Sequence, residues 1–89
     1  MDQSTLSRIR HIFLSPRPNF ALMTAAELLG MSLKDLRQKV EMGAIVAVST
    51  RLGQRIAKEE LIFAAMGVWE QAAIEEALGK DHAGGRGGE

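Results

Sequence analysis

The fold is decided by one stretch, TAAELLGMSLKDLRQKVEMG, which covers residues 24–43. Thr24 and Glu27 have the T-x-x-E spacing of a capping box, which predicts that a helix begins at Thr24. Gly30 fits the left-handed position that ends such a helix. Ser32 then caps a second helix, and Gly43 ends it. Two short helices separated by about three residues that include a glycine predict a helix-turn-helix.

The segment after Gly43 predicts a β-hairpin and a further helix. Strand-forming residues occupy 44–48 and 54–57, and the five residues between them include a glycine, as expected of a hairpin connection. From Lys58, apolar residues recur at helical spacing as far as Gly79. The last helix is therefore expected to be long.

The segment before Thr24 predicts a first helix and an extended connector. Ser4 or Thr5 can cap this helix, with Arg8 and Arg10 facing water. Pro16 and Pro18 prevent the helix from continuing. The apolar residues that share one face of the helix are Leu6, Ile9, Ile12 and Phe13.

These elements predict a mainly α fold with a small β-hairpin, arranged as a winged helix-turn-helix with an N-terminal helix and a long C-terminal helix. The chain divides into four parts. Residues 1–19 form the N-terminal helix and proline linker, and residues 20–66 form the winged core. Residues 67–79 extend the C-terminal helix as a possible dimer interface, and residues 80–89 form a flexible, glycine-rich tail.

Length and composition exclude several classes of protein. The chain has 89 residues and no cysteine, which fits one small domain without disulfides. We expect no signal peptide, no membrane span and a cytoplasmic location. His11 and His82 lack metal-ligand spacing, and neither a nucleophile–base pair nor a phosphate-binding loop is visible. The sequence therefore predicts no metal, no cofactor and no enzymatic activity.

Charge is distributed unevenly, although the net charge is zero. Residues 31–58 hold six basic and two acidic side chains, whereas residues 59–89 hold two basic and seven acidic ones. A polyanion senses the field within about 10 Å at 0.1 M salt rather than the charge of the whole molecule. The middle of the chain is therefore the expected contact for a polyanion.

The residues of this middle segment also resemble a family. Residues 24–45, together with RIAKEEL at 55–61, are similar to MerR-like and phage-excisionase-like DNA-binding domains. The resemblance covers roughly residues 22–66. It implies a sequence-specific protein for double-stranded DNA, acting as a transcriptional regulator or an excisionase-like architectural factor, with a recognition helix in the major groove. Gln38 and Lys39 replace the tyrosine pair usual in MerR regulators, and the wing holds fewer basic residues than is usual in excisionases.

The helix of residues 33–41 supplies the residues expected to read bases. Opposite its apolar stripe it presents Lys34, Asp35 and Gln38, whose donors and acceptors match base edges in the major groove. Asp35 can instead serve only as a capping residue of the same helix. Contacts to the DNA backbone are expected from Ser32, Arg37, Lys39, Arg51 and Arg55.

The apolar arc of the last helix is wider than one small domain needs. We therefore expect a homodimer or cooperative oligomer, with an interface formed by Ile9, Ile12, Phe13, Val68 and Trp69. An alternative is a protein-interaction adaptor or antitoxin-like module that uses the same fold to bind a protein partner. Zero net charge and the sparse wing favour this alternative.

Overall fold

Residues 2–79 are described by a computed structural model, and the glycine-rich tail expected at 80–89 lies outside the described residues. The chain is mainly helical with a small three-stranded antiparallel sheet, as the sequence predicts at this level. Its elements in chain order are α1 (Gln3–Leu14), β1 (Asn19–Ala21), α2 (Leu22–Leu29), α3 (Leu33–Glu41), β2 (Val48–Thr50), β3 (Gly53–Ala57), α4 (Lys58–Val68) and α5 (Gln71–Leu78).

Helix α1 begins earlier than expected, because Asp2 rather than Ser4 or Thr5 is its N-cap. The Asp2 carboxylate accepts a hydrogen bond of 2.7 Å from the backbone N–H of Thr5. This charge-assisted bond satisfies one of the free amides at the start of the helix. The same bond and the Thr5 hydroxyl hold the pKa of Asp2 below its ordinary value.

The proline connector after α1 is held by Lys58. The backbone N–H of Lys58 donates to the carbonyl of Pro18 at 2.9 Å, and its Nζ donates to the carbonyl of Ser15 at 2.7 Å. Lys58, one of the six basic residues of the segment 31–58, is therefore bound within the chain by the Ser15 carbonyl. Beyond the connector, strand β1 was not predicted, and it changes where α2 begins.

Strand β1 pairs antiparallel with β3, in the order β1-β3-β2, and places Phe20 opposite Ile56. Ala21 ends this strand and is at the same time the N-cap of α2, with no side-chain cap. Helix α2 therefore begins at Leu22, and the capping box predicted from Thr24 and Glu27 is wrong. Pairing within the sheet places the N-cap at Ala21, three residues before the position that the local motif favours.

The turn between α2 and α3 follows the prediction closely. Gly30 has φ of 73° in the left-handed region, and the N–H of Met31 donates to the carbonyl of Ala26 at 3.0 Å. The hydroxyl of Ser32 then accepts from the N–H of Asp35 at 3.0 Å, which confirms Ser32 as the cap of α3. Gly43, with φ of 81°, follows the end of α3 as expected.

The β-hairpin is displaced from its predicted position. The N–H groups of Ala44 and Ile45 both donate to the carbonyl of Lys39, so this segment is bound to the end of α3 and is not a strand. Strand β2 begins only at Val48, and the connection to β3 has two residues, Arg51 and Leu52, instead of five. The strand predicted at 44–48 is therefore wrong in position.

The long C-terminal helix is in fact two helices. Trp69 has an extended backbone, with φ of −119° and ψ of 150°, and separates α4 from α5. The break turns α5 back along α1, so that Ile74 and Ala77 pack against Leu6 and Ile9. A straight helix would leave these apolar side chains without a partner, and their burial outweighs continued helical hydrogen bonding.

The core consists of two hydrophobic clusters that share α1. Ile12 belongs to the larger cluster with Phe20, Leu36 and Ile56, whereas Ile9 belongs to the cluster with α5. Ile9 and Ile12 are completely buried inside the chain, so their predicted place in a dimer interface is wrong. Phe13 and Trp69 are half-buried and contact both clusters.

Candidate nucleic-acid interface

Helix α3 presents a polar face to solvent and an apolar face to the core. Leu36 is completely buried, and Leu33 and Val40 are half-buried beside it, so this side packs onto α2. On the other side, the structure brings together the three predicted base readers, Lys34, Asp35 and Gln38, all of them exposed. No part of residues 2–79 covers this polar face, which is the condition for its use as a recognition surface.

The charge of this face is weakly positive. Lys34, Arg37 and Lys39 are exposed, and their charge is partly offset by Asp35 and Glu41 on the same helix. The positive end of the helix dipole lies at the amino end of α3. There the Ser32 oxygen already accepts from the Asp35 amide, so a Ser32 contact to phosphate would use its hydroxyl proton.

The β2–β3 hairpin carries the second basic group. Arg51 is exposed in the turn, and Arg55 is half-buried on β3. The Thr50 hydroxyl fixes the turn, because it donates to the Gly53 carbonyl at 2.7 Å and accepts from the Leu52 N–H at 3.1 Å. An open hollow of about 380 Å³ beside this turn is lined by Asn19, Thr50, Arg51, Leu52 and Arg55.

Arg55 differs from Arg51 in having a partner within the chain. Its Nε donates to the side-chain oxygen of Asn19 at 2.8 Å, across the β1–β3 pair. This bond holds the guanidinium along the sheet. Arg51 is therefore the freer cation of the hairpin, while Arg55 serves the sheet and borders the same hollow.

Arg8 is a residue near the turn whose role the sequence did not reveal. Its guanidinium carbon lies 3.7 Å from the position that a Cβ on Gly30 would occupy, so the side chain covers the turn between α2 and α3. Its Nη2 donates to the Thr5 hydroxyl at 3.2 Å, and its Nε is buried without a hydrogen-bond partner in the described structure. The positive charge of Arg8 also interacts favourably with the partial negative charge at the carboxyl end of α2.

Arg10 is likewise turned toward the protein. Its Nη1 lies 3.4 Å from the carbonyl oxygen of Ala77, in the last turn of α5. The prediction that Arg8 and Arg10 face water is therefore wrong. Neither contact leaves a local signal, because the partners lie 22 and 67 positions away in the chain.

Comparisons with models of known protein families, with curated proteins and with solved structures find no match for this chain. Two further searches concern only residues 2–79. These residues contain no helix long and apolar enough to cross a membrane. They also contain no group of three or more histidine, aspartate or glutamate side chains placed to hold a metal ion.

Proposed function

We propose that this chain is a winged helix-turn-helix protein that binds specific sites on double-stranded DNA, as a non-enzymatic cytoplasmic regulator or architectural factor. In this proposal α3 enters the major groove and the β2–β3 hairpin is the wing. The observation that carries the proposal is the exposed polar face of α3 on a helix whose opposite side is anchored by the completely buried Leu36.

Base recognition is assigned to the three exposed side chains of this face. The amide of Gln38 can bind adenine through two hydrogen bonds, and Lys34 can donate to the O6 and N7 acceptors of guanine. Asp35 can accept from the amino group of cytosine, since its side chain is exposed and its backbone N–H alone is used by the cap. Each such contact contributes about 1–3 kcal/mol of discrimination between bases.

Contacts to the phosphate backbone are assigned to the residues that border this face and the wing. Arg37 and Lys39 lie on α3 beside the base readers, and Ser32 stands at its amino end, where backbone amides also favour an anion. Arg51 and Arg55 border the hollow of the wing. These contacts position the protein on DNA without selecting its sequence.

The proposal is tested by selecting binding sites from random duplexes with the wild type and with the double variant Lys34→Ala, Gln38→Ala. We expect the double variant to select a different or shorter consensus, because two base contacts are lost. The matched control is Gln3→Ala with Arg17→Ala, which removes one exposed amide and one exposed cation away from α3. An unchanged consensus in the first variant would show that the reading face is assigned wrongly.

A protein-interaction adaptor or antitoxin-like module is the second candidate function. The observation that favours it is the apolar surface of α4, on which Phe63, Met66 and Val68 are exposed. Titration with random duplex DNA separates the two functions. Binding that weakens steeply with salt supports the DNA proposal, whereas no binding at low salt supports the adaptor.

A further inference from the structure

Helix α4 is apolar on the side that faces solvent as well as on the side that faces the core. Leu61 and Ala65 are completely buried, yet Phe63 is 70% exposed, Met66 61% and Val68 43%. No charged residue occurs between Glu60 and Glu70. An apolar surface of this kind is typical of a contact with another macromolecule.

A projecting ring and a hollow lie side by side on this surface. The hollow has a volume of about 230 Å³ and lies between α4 and the segment that follows α3, with walls from Met31, Ile45, Phe63, Gly67 and Val68 among others. A cavity of about 150 Å³ is enough to hold benzene. The hollow is therefore large enough for the ring of one phenylalanine.

Gly67 helps to keep the hollow open. It lies one helical turn after Phe63, and a Cβ built on it would meet nothing within 4 Å. Glycine inside a helix is less favourable than alanine, so Gly67 lowers the stability of α4 relative to alanine at this position. The missing side chain leaves room for a group that comes from outside.

We propose that the outer face of α4 is the contact between two copies of this chain, with Phe63 of each copy inserted into the hollow beside Gly67 of the other. The projecting ring and its receptor belong to the same surface patch, which is the requirement for a contact with two-fold symmetry. The proposal replaces the buried Ile9 and Ile12 with α4 as the interface and does not depend on DNA binding. In the dimer Lys39 lies at the α4 contact, so its phosphate contact belongs to the monomer.

The exposed apolar area of α4 is a large part of what such a dimer needs. At about 200 Å² for a large exposed side chain, Phe63, Met66 and Val68 offer roughly 350 Å² of apolar surface per copy. A standard interface buries about 800 Å² per partner, of which about 65% is apolar in homodimers. The three side chains therefore supply roughly two thirds of the apolar area that such an interface buries.

The charges around the hollow are also complementary. Lys39 is exposed and lines the hollow, while Glu60 lies in the first turn of α4 on the same side of that helix. Two α4 helices related by a two-fold axis run antiparallel when Phe63 faces Gly67. Glu60 of one copy then approaches the end of the partner helix, next to Lys39 at the rim of its hollow.

Sedimentation equilibrium without DNA, over a wide range of protein concentration, tests the proposal. We expect the wild type to form dimers of the 9.7 kDa chain. Phe63→Ala removes two inserted rings per dimer and is expected to raise the dissociation constant roughly 1000-fold. Leu14→Ala is the matched control, because Leu14 is 65% exposed on α1 and lies outside the patch.

Two further variants separate a lost contact from a damaged fold. Gly67→Leu fills the hollow and improves helix propensity, so it should weaken the dimer while the monomer melts at a higher temperature. Lys39→Glu should also weaken the dimer, and adding Glu60→Lys should restore it. A wild type that remains monomeric, or a dimer unaffected by Phe63→Ala, would overturn the proposal and leave α4 to a different partner.

Discussion

Replacing Arg51 with alanine is expected to weaken DNA binding and to make the remaining binding less sensitive to salt. Four cations of the proposed interface are exposed, namely Lys34, Arg37, Lys39 and Arg51. Arg55 is assigned to the backbone but is not counted as a fully neutralised phosphate, because it is half-buried and its Nε is bound to Asn19. Each phosphate neutralised contributes about −0.9 to the slope of log K against log salt, so one copy should show a slope near −3.6.

The loss of Arg51 should reduce that slope to about −2.7. Between 50 and 200 mM salt, affinity then falls roughly 40-fold for the variant and roughly 150-fold for the wild type. Fluorescence anisotropy of a labelled duplex measures both slopes, and the Phe63→Ala background keeps the protein monomeric. Arg17→Ala is the control, since Arg17 is exposed on the connector.

A slope lowered as much by Arg17→Ala as by Arg51→Ala would refute the assignment of Arg51 to phosphate. That result would mean that DNA senses the charge of the whole molecule and not the cations of α3 and the wing. A wild-type slope near zero would refute the DNA proposal itself. In either case the dimer could still be tested, because its mass is measured without DNA.

Three other predictions concern the stability of the fold. Trp69→Ala should lower the free energy of unfolding by about 3 kcal/mol in thermal melts, because Trp69 contacts both hydrophobic clusters. A variant that changes the mass of the assembly but not its stability would contradict this. Gly30→Ala should lower the free energy of unfolding by about 1 kcal/mol and also weaken DNA binding. Gly79→Ala, at a similar φ of 75°, should lower the free energy of unfolding alone. Asp2 has a lowered pKa in the folded chain, so its stabilising effect is present above the unfolded pKa and is lost as pH falls through the folded one. Melting temperatures at neutral and acid pH should therefore differ less in Asp2→Asn than in the wild type.

Local signals were sufficient for the helix that carries the proposed site. The Ser32 hydroxyl, the left-handed Gly30 and the stripe centred on Leu36 act within a few residues, so the bounds and exposed side of α3 could be predicted. The polar character of that side follows from the same pattern. This is why all three candidate base readers emerge on one exposed surface.

Contacts distant in the chain explain the failures. The start of α2 depends on the pairing of Ala21 with Arg55, and the break at Trp69 depends on the packing of α5 against α1. Neither leaves a mark in the local pattern, where residues 58–79 still look like one helix. Helix propensity is a weak preference that tertiary packing overrides.

The same limit applies to the interface residues. The sequence shows that Ile9, Ile12 and Phe63 are apolar residues within predicted helices, but it does not show which of them the chain itself buries. The structure buries the two isoleucines completely and leaves Phe63 exposed. Arg55 illustrates the converse, since a cation assigned to DNA proves to be partly engaged by Asn19.

The sharing of α1 between two hydrophobic clusters predicts an order in which the molecule opens. Helix α5 packs chiefly on α1, through Ile74 and Ala77, whereas Phe20, Leu36 and Ile56 belong to the other cluster. Undocking α5 exposes only the smaller cluster, so its amide hydrogens should exchange through a less costly opening than those of α2. The half of the chain that presents α3 would keep its own hydrophobic support during such an opening.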